Sequence, residues 1–165
     1  MKIKNIMLLS MFLLSTFALT IQSVNAAEAK VEAVVDAYMD AWNAHNIKEI
    51  KSFYAENVEW YDMPSDTTTI GKAKVSQAII DAFLTYVPDM VWVKSGDVFV
   101  SDNTLIYEWV YSGTYNGDWW GTSIKNKPFS IRGLSTSTIN KYGKIISTKD
   151  YYDMYDFQKQ LELIQ

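Results

Sequence analysis

The hydrophobic period of this chain changes at Pro88, and that change limits the folds open to it. Before Pro88 apolar residues recur mainly at three- and four-residue spacing, the period of a helix with one buried stripe. After it they alternate, the period of strands with one buried face. Val31, Val34, Val35, Tyr38, Met39 and Trp42 form the first stripe, which ends near Ala44-His45-Asn46. Asn46, with Glu49 three residues on, predicts a capped second, short helix carrying Ile47, Ile50, Phe53 and Tyr54. VEWYDMP, residues 58–64, reads as a short strand stopped by Pro64, and SDTTTIG after it as a loop. Lys72 to Val87 predicts a third helix with Val75, Ile79, Ala82, Phe83 and Tyr86 on one stripe.

Four strand-like runs follow: MVWVKSGDVFV, NTLIYEWVYSGTYNG, KPFSIRGLSTSTI and GKIISTKDYYD. SDN and NKYG predict tight connections, and residues 116–127 a longer loop. Asp153 is a natural N-cap for a last helix beginning near Met154. The order α-α-β-α-β-β-β-β-α predicts an α+β fold with a curved, mostly antiparallel sheet.

The N-terminus has its own logic. Lys2 and Lys4 precede an apolar run from Ile6 to Ile21, and Val24-Asn25-Ala26 offers small residues at a cleavage site. This predicts a bacterial signal peptide over residues 1–26, with export to the periplasm or medium. No Cys follows the run, so lipid anchoring is not expected. Residues 27–165 are then one domain, long enough to hold a core without disulfides.

The 15 basic and 19 acidic residues leave a net charge of −4, and Arg132 is the sole arginine. With no basic stripe, neither nucleic acid nor an anionic membrane is an expected partner. One histidine, His45, and no cysteine argue against a His-rich metal site and a structural zinc site, and no metal is expected. Nucleophilic catalysis lacks its serine elbow and its cysteine, and no phosphate loop is present. The chain needs no cofactor on this reading. Aromatic residues make up 15% of it, enough for a core of large side chains, an aromatic pocket, or both.

AWNAHNIKEIKSFYAENVEWYDMP, then SGTYNGDWWG, FSIRG, YGKI and DYYDMYDFQKQL, resembles in order and spacing the SnoaL-like polyketide cyclases. That family lies in the nuclear-transport-factor-2-like superfamily. The resemblance implies a cone: a bent sheet wrapped round N-terminal helices, with a pocket between them. It also implies a homodimer, and a small apolar or aromatic ligand. The superfamily holds isomerases, dehydratases and cyclases beside members that only bind, so fold alone leaves function open.

By position in the resemblance, Asp150 matches the catalytic aspartate of the last strand. Alternation puts Thr148, Asp150 and Tyr152 on one face, so an inward Thr148 makes Asp150 a buried general base or acid. Otherwise Asp150 is a rim carboxylate paired to Lys149 or a neighbouring strand. Asp62, at a strand end before a proline, matches the base position of some ketosteroid isomerases, and otherwise caps the SDTTT turn. Tyr152 or Asp62 would donate to the developing enolate. Tyr38, Trp42 and Trp60 fit pocket-wall positions, or plain core. Trp120, beside Trp119, suits a lid stacking on a ligand, or a plug on the core. Arg132 would clamp a carboxylate or enolate oxygen, or sit in a surface ion pair. His45 reads as a structural turn residue, and the late-strand histidine of the defining cyclases is absent. Three functions remain open: a cofactor-free isomerase, dehydratase or cyclase acting on an apolar carbonyl compound, a non-catalytic binding module, and a dimerising structural domain.

Overall fold

The computed structural model describes residues 28–119 and 121–165. The expected signal peptide lies outside the described residues, as does Trp120. Helix α1 runs over residues 28–43 and buries the predicted stripe of Val31, Val35, Tyr38, Met39 and Trp42. It turns at His45, whose backbone adopts φ 52° and whose Nε2 lies 3.2 Å from the Met90 carbonyl oxygen. Asn46 caps α2 (Ile47–Phe53): its side-chain oxygen accepts from Glu49 N at 3.2 Å, and its amide donates to Glu49 Oε2 at 2.9 Å.

The sheet has six strands in the order β2-β1-β6-β5-β4-β3. They are β1 (Tyr54–Asp62), β2 (Thr67–Ile70), β3 (Val91–Ser101), β4 (Thr104–Trp119), β5 (Thr122–Ile139) and β6 (Ile145–Tyr152). All neighbours pair antiparallel except β1 and β6, which run parallel. Helix α3 (Lys72–Val75), a π-helical stretch (Ser76–Asp81) and α4 (Ala82–Tyr86) together occupy the predicted third helix. Helix α5 (Met154–Gln160) opens on Asp153, whose carboxylate accepts from Asp156 N at 3.0 Å. Among the described residues no helix is long and apolar enough to cross a membrane.

Two segments differ from the sequence expectation. Thr67–Ile70, read as loop, is an edge strand antiparallel to β1. Its β-branched threonines suit a strand, but four residues are too few to show a period. Residues 116–127 are no open loop: β4 and β5 pair through Gly117↔Ile124 to Trp119↔Thr122. The polar composition read as loop belongs to the exposed end of a long hairpin.

Two side-chain amides tie the helices to the sheet by imitating a strand. Asn43 accepts from Trp92 N at 2.7 Å and donates to the Trp92 carbonyl at 2.8 Å, fixing the end of α1 to β3. Gln160 does the same to Ser130, at 2.8 and 3.0 Å, fixing α5 to β5. Each pair satisfies a backbone donor and acceptor that the ladder leaves free.

Inward side chains of adjacent strands form rows across the concave face. Trp109 on β4, Gly133 on β5 and Tyr152 on β6 stand opposite one another. The two rings meet over the glycine with centroids 6.3 Å apart. A Cβ on Gly133 would fall 2.3 Å from the Trp109 indole and 2.7 Å from the Tyr151 carbonyl oxygen. Gly133→Ala therefore forces the indole and the backbone apart, at a cost of about 1–3 kcal/mol. The expected result is a lower melting temperature with a changed near-ultraviolet aromatic signal. An unchanged signal would show that Trp109 does not depend on this glycine.

Candidate functional site

The cone is not filled. Between α1, the π-helical stretch, α4 and the concave sheet lies a cavity of about 90 Å³, open to solvent on one side. Tyr38 and Trp42 come from α1, Ile79 and Phe83 from the segment over residues 76–86, and Phe157 from α5. The sheet supplies Trp60, Asp62, Trp92, Trp109, Tyr111, Ile131, Asp150 and Tyr152, joined by Tyr54 and Met90. Edge-to-face ring pairs build most of the wall, with Tyr38 against Trp42, Phe53, Tyr54 and Trp92 at 5.7–6.2 Å. In this wall of rings, Asp62 and Asp150 are the two carboxylates.

Strand pairing puts them side by side. Asp62 and Asp150 are register partners in the parallel β1–β6 pair, and Met63 N donates to the Asp150 carbonyl at 3.0 Å. Ser135 is the Asp150 partner on β5, and Tyr107 the Ser135 partner on β4. One polar row thus crosses four strands beneath the aromatic wall.

Asp150 is held at both oxygens. Trp60 Nε1 donates to Oδ2 at 2.6 Å, and Ser135 Oγ donates to Oδ1 at 2.5 Å. Ser135 Oγ in turn accepts from Trp109 Nε1 at 2.8 Å. Asp150 keeps some surface open to the cavity, while protein surrounds it on its other sides. Burial raises its pKa above the usual carboxylate range. The hydrogen bonds from Ser135 and Trp60 oppose that rise, and the neighbouring Asp62 adds to it.

Asp62 lines the cavity and also caps a turn. Oδ2 accepts from the backbone N of Ser65 at 3.2 Å and from its hydroxyl, capping the turn after β1. Oδ1 is buried and has no hydrogen-bond partner within the protein. Burial raises the pKa of the Tyr152 hydroxyl, and the neighbouring Asp62 carboxylate, by its charge and by a hydrogen bond, raises it further. Trp42 Nε1 and the Tyr111 hydroxyl are likewise buried and unpartnered.

The structure gathers Asp150, Asp62, Tyr152, Tyr38, Trp42 and Trp60 at one cavity. Arg132 is not among them. It is exposed, and alternation on β5 puts it on the face opposite Ile131, which lines the cavity. A clamp role for Arg132 at this site is therefore corrected to a surface position. Trp119 packs on Tyr115 and Phe157, at 5.9 and 5.4 Å between centroids. Sequence reading missed Ser135, Trp109, Trp92, Tyr111 and Phe83. Ser135 had a usable signal: a serine between Gly133 and Ser137 on an inward face needs a polar partner. Among the described residues no cluster of three His, Cys, Asp or Glu could hold a metal.

Residues 32–161 match the family of SnoaL-like polyketide cyclases. The chain belongs to that family. Solved structures agree on the fold. A protein of Shewanella denitrificans OS-217, named as a SnoaL-like polyketide cyclase, superposes with a TM-score of 0.71 at 18% identity, covering 81% of this chain and 98% of that one. AclR of Streptomyces galilaeus, named as a hydroxylase, gives 0.72 at 15% identity over 84% and 99%. A hypothetical protein of Catenulispora acidiphila DSM 44928 with a ketosteroid isomerase-like fold, solved with trimethylamine, gives 0.65 at 18% over 78% and 92%. At such identities the likeness is one of fold, and the differing names show how little the fold fixes the reaction. Among curated proteins none matches the chain.

Ser135 is the joint of the site, since it feeds Asp150 and receives Trp109. Ser135→Ala leaves the buried Trp109 N–H unpaired, costing about 1–3 kcal/mol. It also removes a bond that stabilises the charged carboxylate, so the Asp150 pKa should rise further. A carboxyl titration followed by NMR checks this. A fall in that pKa would contradict the assigned hydrogen bond.

Proposed function

We propose that this protein transfers protons, without a cofactor, on a small cyclic carbonyl compound, with Asp150 as the base. The observation that carries the reading is Asp150 itself: a carboxylate facing an open aromatic cavity, with a raised pKa and two donors fixing its plane. A base works best when its pKa approaches the working pH, and burial moves Asp150 that way. Each oxygen has given one lone-pair direction to a donor, which leaves each a second for a substrate proton. Tyr152, kept protonated by its raised pKa, is the donor for the developing enolate oxygen. The aromatic walls exclude water and hold the ring.

The family supports a small-molecule pocket, and the paired carboxylates support isomerase or cyclase chemistry over simple binding. Asp150→Asn keeps the shape and removes the base. On a panel of cyclic unsaturated and β-keto carbonyl compounds it should lose roughly 10²–10⁴-fold in rate. The wild-type rate should rise with pH as Asp150 ionises, with its inflection above the ordinary aspartate value of about 4. Stability moves the other way. A carboxylate whose folded pKa is raised stabilises the fold below its unfolded pKa and loses that contribution as pH rises through the folded pKa. Asp150→Asn should thus melt no lower than wild type at pH 7. Equal turnover by the variant would remove Asp150 as the base, and no turnover by either protein would leave a binding module that uses the same pocket.

Export and self-association belong to the same proposal. The basic start, apolar run and Val24-Asn25-Ala26 support cleavage after residue 26. Val91, Val93 and Phe99, all exposed on β3, support pairing through the outer sheet face. The native protein should begin at Ala27 by mass spectrometry and scatter light as a dimer. An intact Met1 would refute the export reading, and a monomer's mass the pairing.

A further inference from the structure

The aromatic wall of the cavity closes on itself. Trp42, Phe83, Tyr111 and Phe129 form one arc, and Phe157, Tyr152, Trp109 and Trp92 carry it back to Trp42. Each ring centroid lies 4.8–6.5 Å from the next, and every member of the circuit except Phe129 lines the cavity. Two carboxylates flank this circuit. Asp150 opens on the cavity, and Asp62 lies beside it in the same row, more deeply buried. No lysine, arginine or histidine is among the lining residues. Arg132 stands on the other face of the sheet, and His45 is exposed in the turn after α1. The charge that acts on Asp150 is that of Asp62, and it raises the Asp150 pKa as burial does. The site thus has hydrogen bonds for its carboxylates but no counter-charge.

We propose that the ligand is a cation: a cyclic amino ketone whose protonated or methylated nitrogen sits within the circuit of rings, close to Asp150. This rests on the reading of Asp150 as a base acting on a cyclic carbonyl compound. It replaces the apolar ligand expected from the sequence with a charged one. The face of an aromatic ring is the negative end of its quadrupole, and a cage of rings attracts an ammonium most strongly where water is kept out. The two carboxylates add an attraction that a neutral ketone cannot use. A metal ion gains little here. Among the described residues no three His, Cys, Asp or Glu stand together, and a hard cation needs several oxygens in place of its water. An organic ammonium needs none. Size limits the group. The cavity of about 90 Å³ is smaller than the ~150 Å³ of an engineered cavity that takes up benzene, so one end of the ligand's ring enters fully and the other lies in the open mouth. The charge also serves the chemistry. An ammonium beside Asp150 offsets both burial and the Asp62 charge, so the base is ionised when the substrate is bound.

The test is equilibrium binding to the purified protein by calorimetry at neutral pH. The probe is a six-membered ring with a carbonyl at one end and a quaternary dimethylammonium at the other, the methylated salt of an N-methylpiperidone. Its comparator is the cyclohexanone that carries a dimethyl carbon in place of that nitrogen, with the same shape and no charge. The cation should bind tighter than the ketone by roughly 30-fold. Asp62→Asn and Asp150→Asn keep the shape of the site and remove one charge each. Each should weaken the cation roughly tenfold and leave the ketone unchanged. Trp92→Leu takes one ring out of the circuit and should weaken the cation more than the ketone. Equal affinity for the two probes would overturn the proposal. So would no saturable binding of the cation at millimolar concentration, or cation binding that neither Asn variant weakens. Neutral ketones turned over through Asp150, with equal affinity for the two probes, would sink this proposal and keep the base. A preference for the cation, with an unchanged rate in Asp150→Asn, would sink the base and keep the cation site.

Discussion

The parallel pairing of β1 with β6 is the contact on which the site depends. It is the one parallel step in an otherwise antiparallel sheet. It joins two ends of the chain that lie ninety residues apart in Trp60 and Asp150. Its register sets Asp62 beside Asp150, and a shift of β1 by one residue would turn Asp62 to the outer face. The Met63 N–H, donating to the Asp150 carbonyl, carries the ladder one residue beyond β1 and fixes that register where it matters. Two like charges at neighbouring positions under aromatic rings repel, so the fold must hold them by other means.

It holds them by unequal hydrogen bonding. Asp150 receives an indole N–H and a hydroxyl, and Asp62 receives a backbone N–H and a hydroxyl from Ser65. The difference lies in which oxygens are served. Asp150 has one donor at each, so its plane is fixed. Asp62 has both donors at Oδ2, so Oδ1 stays bare inside the protein. The same residue type in the same row therefore meets two environments: one carboxylate oriented as a base, the other left with an unspent acceptor. That division follows from local chain geometry, because Asp62 ends its strand and turns back on Ser65, whereas Asp150 sits inside β6 between two neighbours.

Much of this could be read from the chain before any coordinates. The stripe from Val31 to Trp42 keeps its period unbroken for about three turns because one face of α1 meets the sheet throughout. The caps Asn46 and Asp153 were legible because capping is local. The facing of Asp150 followed from alternation once Thr148 was taken as inward, and Thr148 is buried. What escaped was set by pairing across strands. Nothing near Ser135 in sequence shows that it lies opposite Asp150 and beneath Trp109. Nothing in SDTTT shows that an open edge of β1 waits to pair with it. Arg132 misled because a lone arginine invites a role, while the strand's own alternation with Ile131 already placed it outside.

The aromatic wall and the polar row also explain each other. Small residues at Gly133, Ser135 and Ser137 hollow the middle of β5, while Trp109, Tyr107 and Tyr152 on its neighbours lean over the gap. Large side chains at those three positions would fill the cone and leave an ordinary core. The hollow lets the Trp109 indole reach Ser135, and through it Asp150, so the residue that packs the wall also orients the carboxylate. A cavity made this way is kept open by glycine and serine in one strand rather than by a missing layer. It is therefore a property of the folded sheet, present before any ligand arrives.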